Sequence, residues 1–240
     1  MSEAVHQFAS ALLGNERTVW IRQPKLPASP CNLAIFLDGE LYREKVEAVS
    51  VIDELEASAS IANTFFVFVS VATWEARWTE CPCNPLFARF ISEELLPWLI
   101  AQYPLLKAAP ARALIGLSYT GLAAGYAALQ SPESFTHVIA QSGSFWSNDC
   151  WLVEQFRLRE KPLSTAFYLD VGSQETEENV QHKEDVLQVV SQIDAIRRLK
   201  SVLLEKGYRI KYQEFDGGHD CLAWKQTLPA ALRWALPADT

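Results

Sequence analysis

Residues 111–129 run from a strand pattern through a glycine-flanked turn into a helix pattern without a break. The strand is Ala111-Arg112-Ala113-Leu114-Ile115, the turn is Gly116-Leu117-Ser118-Tyr119-Thr120-Gly121, and the helix begins at Leu122-Ala123-Ala124-Gly125. A strand that hands over directly to a helix calls for a crossover connection and a parallel neighbour. Gly116 and Gly121 leave room for a bend that a side chain would block. The bend lifts the Ser118 hydroxyl out of the sheet, and the helix N-terminus behind it favours developing negative charge. A nucleophile elbow is built this way. The pattern G-x-S-x-G would put glycine at position 120, where the chain has Thr120, so taken alone the segment is equally an ordinary strand-to-helix turn.

The same alternation recurs along the chain. Strand patterns occupy Arg17–Arg22, Cys31–Leu37, Phe65–Val71, His137–Gln141, Thr165–Val171 and Arg209–Phe215. Helix patterns occupy Val46–Ala59, Pro85–Ile100, Asp185–Lys206 (with Gly207 as its C′ residue) and Lys225–Ala235. Pro27, Ser29 and Pro30 read as a loop. The expected fold is α/β, a mostly parallel central sheet flanked by helices. Ligands in such sheets bind beyond the carboxyl ends of the strands. Asp38-Gly39, Ser118, Gln141-Ser142-Gly143, Glu175 and His219 each come after a strand candidate, so they should gather on one edge.

The 240 residues, 49% hydrophobic and 21% charged, suit one globular domain spanning 1–240 with no separate N-terminal domain. A formal net charge of −8 argues against nucleic acid and anionic membrane as partners. Five cysteines, an odd number, with no basic-then-apolar leader at the start suggest free thiols in a reducing compartment, and the expected location is the cytoplasm. Cys81-Pro-Cys83 has no second ligand pair to complete a zinc site, so no metal is expected. Phe65–Val71, the most apolar run, is too short to cross a bilayer as a helix.

An elbow serine needs a base and an orienting acid, and the α/β-hydrolase order is Ser, then Asp or Glu, then His. Of four histidines, His219 lies in the glycine loop Phe215-Asp216-Gly217-Gly218-His219-Asp220 directly after the last strand, where an imidazole can reach a serine hydroxyl. His182, in a charged stretch, reads as a solvated residue, His137 as a structural one at a strand start, and His6 as part of a mobile terminus. For the acid, Glu175 is favoured because it lies past a strand across the turn Gly172-Ser173-Gln174. Asp170, Glu177, Glu178, Asp216 and Asp220 remain nearby alternatives. The Tyr119 amide and one from the loop after Leu37, Gly39 with Glu40 next, are the candidate oxyanion donors. Trp74, Trp78, Trp146 and Trp224 lie near these segments, either as stacking surfaces for an aromatic ligand or as cleft wall and core.

Leu37-Asp38-Gly39, Arg77 through Asn84 with Phe87 beyond, Glu94-Leu95-Leu96-Pro97-Trp98, the elbow, Gln141-Ser142-Gly143-Ser144-Phe145-Trp146, Gly172-x-x-Glu175 and Gly217-Gly218-His219-Asp220 run in order through most of the chain. Together they resemble the esterase family that includes the enterochelin (ferric enterobactin) esterases, within the α/β-hydrolase superfamily. The resemblance implies carboxylic-ester hydrolysis by Ser118 and His219 with Glu175 as the acid. It also implies a catecholate siderophore trilactone as the substrate to test first. No cofactor is implied, and iron would enter only within a chelated substrate. Arg77 matches a family arginine and pairs either with a ligand's negative charge or in a surface salt bridge. Trp146 is a candidate substrate contact. Two other readings stay open: a general small-acyl esterase or thioesterase, and a hydrolase-like scaffold that binds without catalysis.

Overall fold

The computed structural model describes residues 3–24 and 31–238; the loop expected at Pro27–Pro30 lies outside the described residues. Ten strands are formed among the described residues: β1 (Glu3–Ser10), β2 (Asn15–Arg22), β3 (Asn32–Leu37), β4 (Thr64–Val69), β5 (Arg112–Leu117), β6 (His137–Gln141), β7 (Ala166–Gly172), β8 (Val180–Lys183), β9 (Val186–Gln188) and β10 (Ile210–Phe215). The main sheet has the order β1-β2-β4-β3-β5-β6-β7-β10. The pairs from β4 to β10 are all parallel, while β1–β2 and β2–β4 are antiparallel. The helices are α1 (Gly39–Glu44), α2 (Ala48–Ala57), α3 (Trp74–Glu80), α4 (Pro85–Arg89), α5 (Leu96–Gln102), α6 (Ser118–Gln130), α7 (Ser147–Leu158), α8 (Gln192–Glu205) and α9 (Cys221–Ala235).

Both faces of the sheet are covered, and strand periodicity divides the core accordingly. Leu33, Ile35 and Leu37 of β3, Phe65, Val67 and Val69 of β4, and Leu114 of β5 pack on the face covered by α4 to α8. Ala34, Phe36, Phe66, Phe68, Ala113 and Ile115 pack on the face covered by α2 and α9. Strands buried on both faces read as continuous apolar runs, as seen at Phe65–Val69. α8 shows the amphipathic counterpart, burying Ile193, Ile196, Leu199, Val202 and Leu203 at helical spacing. Its N-cap is Ser191, whose hydroxyl accepts from the Asp194 amide, and Gly207 ends it at φ +79°.

Three segments depart from the sequence reading. The N-terminus is not a mobile tail: Glu3–Ser10 is an edge strand paired residue for residue with β2, and His6 packs against Trp98 with ring centroids 5.2 Å apart. Pro85–Ile100 is not one regular helix, because a π-helical turn over Phe90–Leu95 separates α4 from α5. The predicted helix over Asp185–Lys206 begins only at Gln192, and the preceding residues form the β8–β9 hairpin. In each case tertiary packing decides the conformation, and local propensity is overridden.

At the end of β5 the chain turns directly into α6, which starts at Ser118 rather than at Leu122. Ser118 sits at φ 51°, in the left-handed region that a non-glycine residue occupies only under constraint. The turn is so close that a Cβ on Gly116 would lie 2.2 Å from the Thr120 carbonyl oxygen. We expect Gly116→Ala to destabilise the protein by about 2 kcal/mol or more through overpacking. Urea denaturation monitored by circular dichroism would test this, and a variant with unchanged midpoint and slope would contradict it.

Candidate active site

The carboxyl ends of the parallel strands deliver the reactive groups. Ser118 lies directly after β5, Ser142 and Ser144 after β6, Glu175 after β7, and His219 in the loop between β10 and α9. The last two loops are joined through their backbones. Ser173 N donates to Phe215 O at 2.8 Å and Gln174 N donates to Gly217 O at 3.0 Å. A Cβ on Gly172 would meet Gly217 O at 2.3 Å, so only glycine permits this approach. Asp220 caps α9 by accepting from the Ala223 amide at 3.0 Å, and thereby fixes the residue after His219.

His219 Nε2 lies 3.0 Å from Ser118 Oγ, and His219 Nδ1 lies 2.6 Å from Glu175 Oε2. A carboxylate only accepts, so Nδ1 carries the proton and Nε2 is left to accept from the serine hydroxyl. The Glu175 side chain is 2% exposed and the His219 side chain 41% exposed. The second oxygen of Glu175 is held as well. Oε1 accepts from Ser142 Oγ at 2.6 Å and from Gly172 N at 2.7 Å. The Ser142 hydroxyl in turn accepts from Trp224 Nε1 at 3.0 Å, while His219 packs edge-on against the Trp224 ring at 4.9 Å. Of the carboxylates considered from sequence, Glu175 is the one bonded to His219. Asp220 serves as the α9 cap, and Asp170 lies buried within the sheet.

Asp38 and Arg77 form a buried pair behind the serine. Arg77 Nε donates to both Asp38 oxygens at 3.1 and 2.9 Å, and Nη2 donates to Oδ2 at 2.8 Å. Arg77 is 5% exposed, so the surface salt bridge considered from sequence is instead a buried one. Its guanidinium borders the cleft and lies over the rings of Trp74 and Tyr119, but its charge is already balanced by Asp38. Gly39, the residue after Asp38, begins α1, and a Cβ there would lie 2.6 Å from Val69 N. The Glu40 carboxylate is occupied by the Val71 amide at 3.1 Å.

These groups open on a cleft of about 510 Å³. Its walls are largely aromatic: Trp74, Trp78, Tyr119, Trp146 and His182. Trp146 is fixed by its Nε1, which donates to Gln192 Oε1 at 2.6 Å. His182 is exposed, as its charged neighbours suggest, and the hairpin also carries it to the edge of the cleft. It stacks flat on Trp146 (centroids 5.1 Å, interplanar angle 10°) and bonds Gln188 through Nε2 at 2.9 Å. Lys183, beside it, sets its ammonium 5.0 Å from the centre of the Trp78 ring. Trp224 supports His219 and Ser142 and also lines the cleft. His137 holds the structural place expected of it, bonded to Thr136 Oγ1 at 2.9 Å and Arg209 Nη2 at 2.7 Å. The sequence reading assigns no role in the site to Ser142, Gln192 or His182. The signal for Ser142 is its place right after a strand; the other two carry none.

The parallel sheet with a strand–serine–helix turn at its centre is the α/β-hydrolase fold. The chain belongs to the esterase family whose model, described as "Putative esterase", matches residues 10–235. It is similar to the iron(III) enterobactin esterase of Dickeya dadantii, at 27% identity over 98% of this chain and 55% of that protein. It is similar also to the iron(III) enterobactin esterase of Escherichia coli strain K12, at 30% identity over 94% of this chain and 55% of that protein. The enterobactin esterase of Shigella flexneri, solved in the presence of enterobactin, superposes with a TM-score of 0.85 at 27% identity, over 98% of this chain and 58% of that one. The chain thus spans about half the length of these relatives. Among the described residues no helix is long and apolar enough to cross a membrane, and no cluster of His, Cys, Asp or Glu could hold a metal ion.

Burial pushes the Asp170 carboxyl up to about 7, against hydrogen bonds from Thr227 and the Ser142 amide that favour its charged form. A carboxyl whose folded pKa lies above its unfolded value of about 3.9 contributes stability below that value and loses it as pH rises through the folded one. Asp170→Asn should therefore gain on the wild type as pH rises from 5 to 8, by about 1–3 kcal/mol. Urea denaturation at both pH values would measure this. A difference that does not change with pH would contradict the assignment.

Proposed function

We propose that this protein is a serine carboxylesterase working through an acyl-enzyme. The observation that carries the reading is the relay from Glu175 to His219 to Ser118, at 2.6 and 3.0 Å, opening on the aromatic cleft. His219 Nε2 takes the Ser118 proton as Oγ attacks the ester carbonyl carbon. The tetrahedral oxyanion is stabilised by the amides of Tyr119 and Gly39. As the C–O bond to the alcohol breaks, His219 returns the proton to the departing oxygen, leaving Ser118 acylated. Water then attacks the acyl carbon, losing its proton to His219, and the acid and free serine are released. Glu175 keeps Nδ1 protonated and balances the imidazolium formed in both halves of the reaction.

For the substrate we propose a catecholate siderophore trilactone. The support is twofold: the relatives named as enterobactin esterases, and walls of Trp78, Trp146 and His182 that suit a planar, electron-rich ring. Arg77 and Trp146 would border the bound substrate, Trp146 as a flat wall and Arg77 as a neutralised neighbour of the oxyanion site. No cofactor takes part in these steps. Cys81, Cys83, Cys150 and Cys221 are free thiols, which supports the cytoplasm as the working compartment.

The test is hydrolysis of iron-loaded and iron-free catecholate trilactones beside p-nitrophenyl acetate and butyrate, with products resolved by chromatography. Ser118→Ala and Glu175→Gln serve as comparisons. We expect trilactone turnover that falls by about 10⁴-fold or more in Ser118→Ala and about 10²–10⁴-fold in Glu175→Gln. Turnover of the simple esters alone would keep the mechanism and favour a general small-acyl esterase. Trilactone hydrolysis surviving in Ser118→Ala would overturn the mechanism.

A further inference from the structure

Thr120 stands where the elbow pattern has its second glycine, and its side chain is fully buried. Its hydroxyl makes three contacts. The oxygen accepts from Leu117 N at 3.0 Å, and the hydroxyl lies within donating distance of Leu117 O at 2.8 Å and Asp38 Oδ2 at 3.0 Å. A hydroxyl has one proton, and the ionised carboxylate is the stronger acceptor. The Asp38 contact joins the β5–α6 turn to the β3–α1 turn, 82 residues apart in sequence. Asp38 is itself gripped through three hydrogen bonds by Arg77 and sits in the left-handed region at φ 60°.

The positions of these two residues give the contact its meaning. Thr120 directly follows Tyr119, and Asp38 directly precedes Gly39. These are the neighbours of the two amides assigned to the oxyanion. We propose that the Thr120–Asp38 hydrogen bond, locked by Arg77, sets the spacing between the Tyr119 and Gly39 amides, making Thr120 and Asp38 positioning residues of the oxyanion hole. With glycine at 120 the two turns would be joined by no side chain at this point. Arg77 has a second part here: it cancels a buried negative charge that would otherwise oppose the oxyanion one residue away. This inference rests on the esterase reading above.

The experiment compares wild type, Thr120→Val and Thr120→Ser on an ester the wild type turns over, with rates expressed per active site titrated by a fluorophosphonate. It also measures inhibition by a trifluoromethyl ketone, whose adduct with Ser118 places an oxyanion in the hole. Valine keeps the shape and removes the hydroxyl, whereas serine keeps the hydroxyl. We expect Thr120→Val to lower kcat about tenfold with KM changed less than about twofold, and to weaken ketone binding by the same factor. Thr120→Ser should recover both to within about threefold of wild type. If Thr120→Val does not fold, Thr120→Gly, the residue usual in the elbow, carries the same expectation. A residue that merely filled space would leave the ketone affinity per active site unchanged. So an active wild type with kcat or ketone affinity unaffected in the hydroxyl-free variant overturns this inference alone. A wild type that neither hydrolyses esters nor takes the fluorophosphonate overturns the esterase reading, and this one with it.

Discussion

The Glu175 carboxylate is the interaction on which the site's geometry hangs. Both of its oxygens are committed, one to His219 and the other to Ser142 Oγ and the Gly172 amide. Those partners come from the loop after β10, the turn after β6 and the end of β7. One buried acid therefore fixes three strand ends relative to one another. Burying a charge is favourable only when its hydrogen bonds are supplied, and an incompletely satisfied carboxylate would pull the loops toward water. The surrounding packing supplies them: Trp224 orients the Ser142 hydroxyl, and Gly172 admits the Gly217 carbonyl at a distance no side chain would tolerate. The imidazole can then remain 41% exposed, accessible to substrate, while its orientation is set from behind.

The chemistry is legible in the sequence because its residues sit at discontinuities. Ser118, Glu175 and His219 each fall where a strand gives way to a glycine-bearing turn, and a parallel sheet sends all such points to one edge. The alternation of strand and helix therefore predicts both the sheet and the gathering of these residues. Pairing with distant segments is not legible. Glu3–Ser10 alternates weakly and becomes a strand because β2 offers it an edge. Residues 185–188 look helical in continuity with α8, yet Val186–Gln188 pairs back onto Val180–Lys183 as a hairpin. His182 reads as solvated and is exposed, but its place beside the cleft is not legible. Its role as a wall of the cleft depends on the hairpin's placement, and nothing in its immediate neighbours encodes the Trp146 face against which it lies. Arg77 shows the same limit. The sequence marks it as a site residue, but only the fold shows its charge held by Asp38.

Three buried carboxyl groups stand at the strand ends around the serine, and the fold treats each differently. Asp38 is paired with a guanidinium, so its charge is balanced locally. Glu175 is held by His219, Ser142 and the Gly172 amide, a set of partners that suits an acceptor on both oxygens. Asp170 is pushed by burial toward the neutral form. A site that must accumulate negative charge on a carbonyl oxygen is served by this division. Glu175 alone of the three presents its carboxylate to the imidazole, where in the proposed mechanism it stabilises the cation formed as the serine loses its proton. The charges of the other two are cancelled or reduced, so in the proposed mechanism the field at the oxyanion is left to the backbone amides. Those amides are fixed dipoles that need no reorganisation when charge develops, provided the turns carrying them cannot drift. The Asp38–Arg77 pair and the Thr120 hydroxyl bind those two turns together from within the core, where the low dielectric strengthens each contact and makes losing one costly.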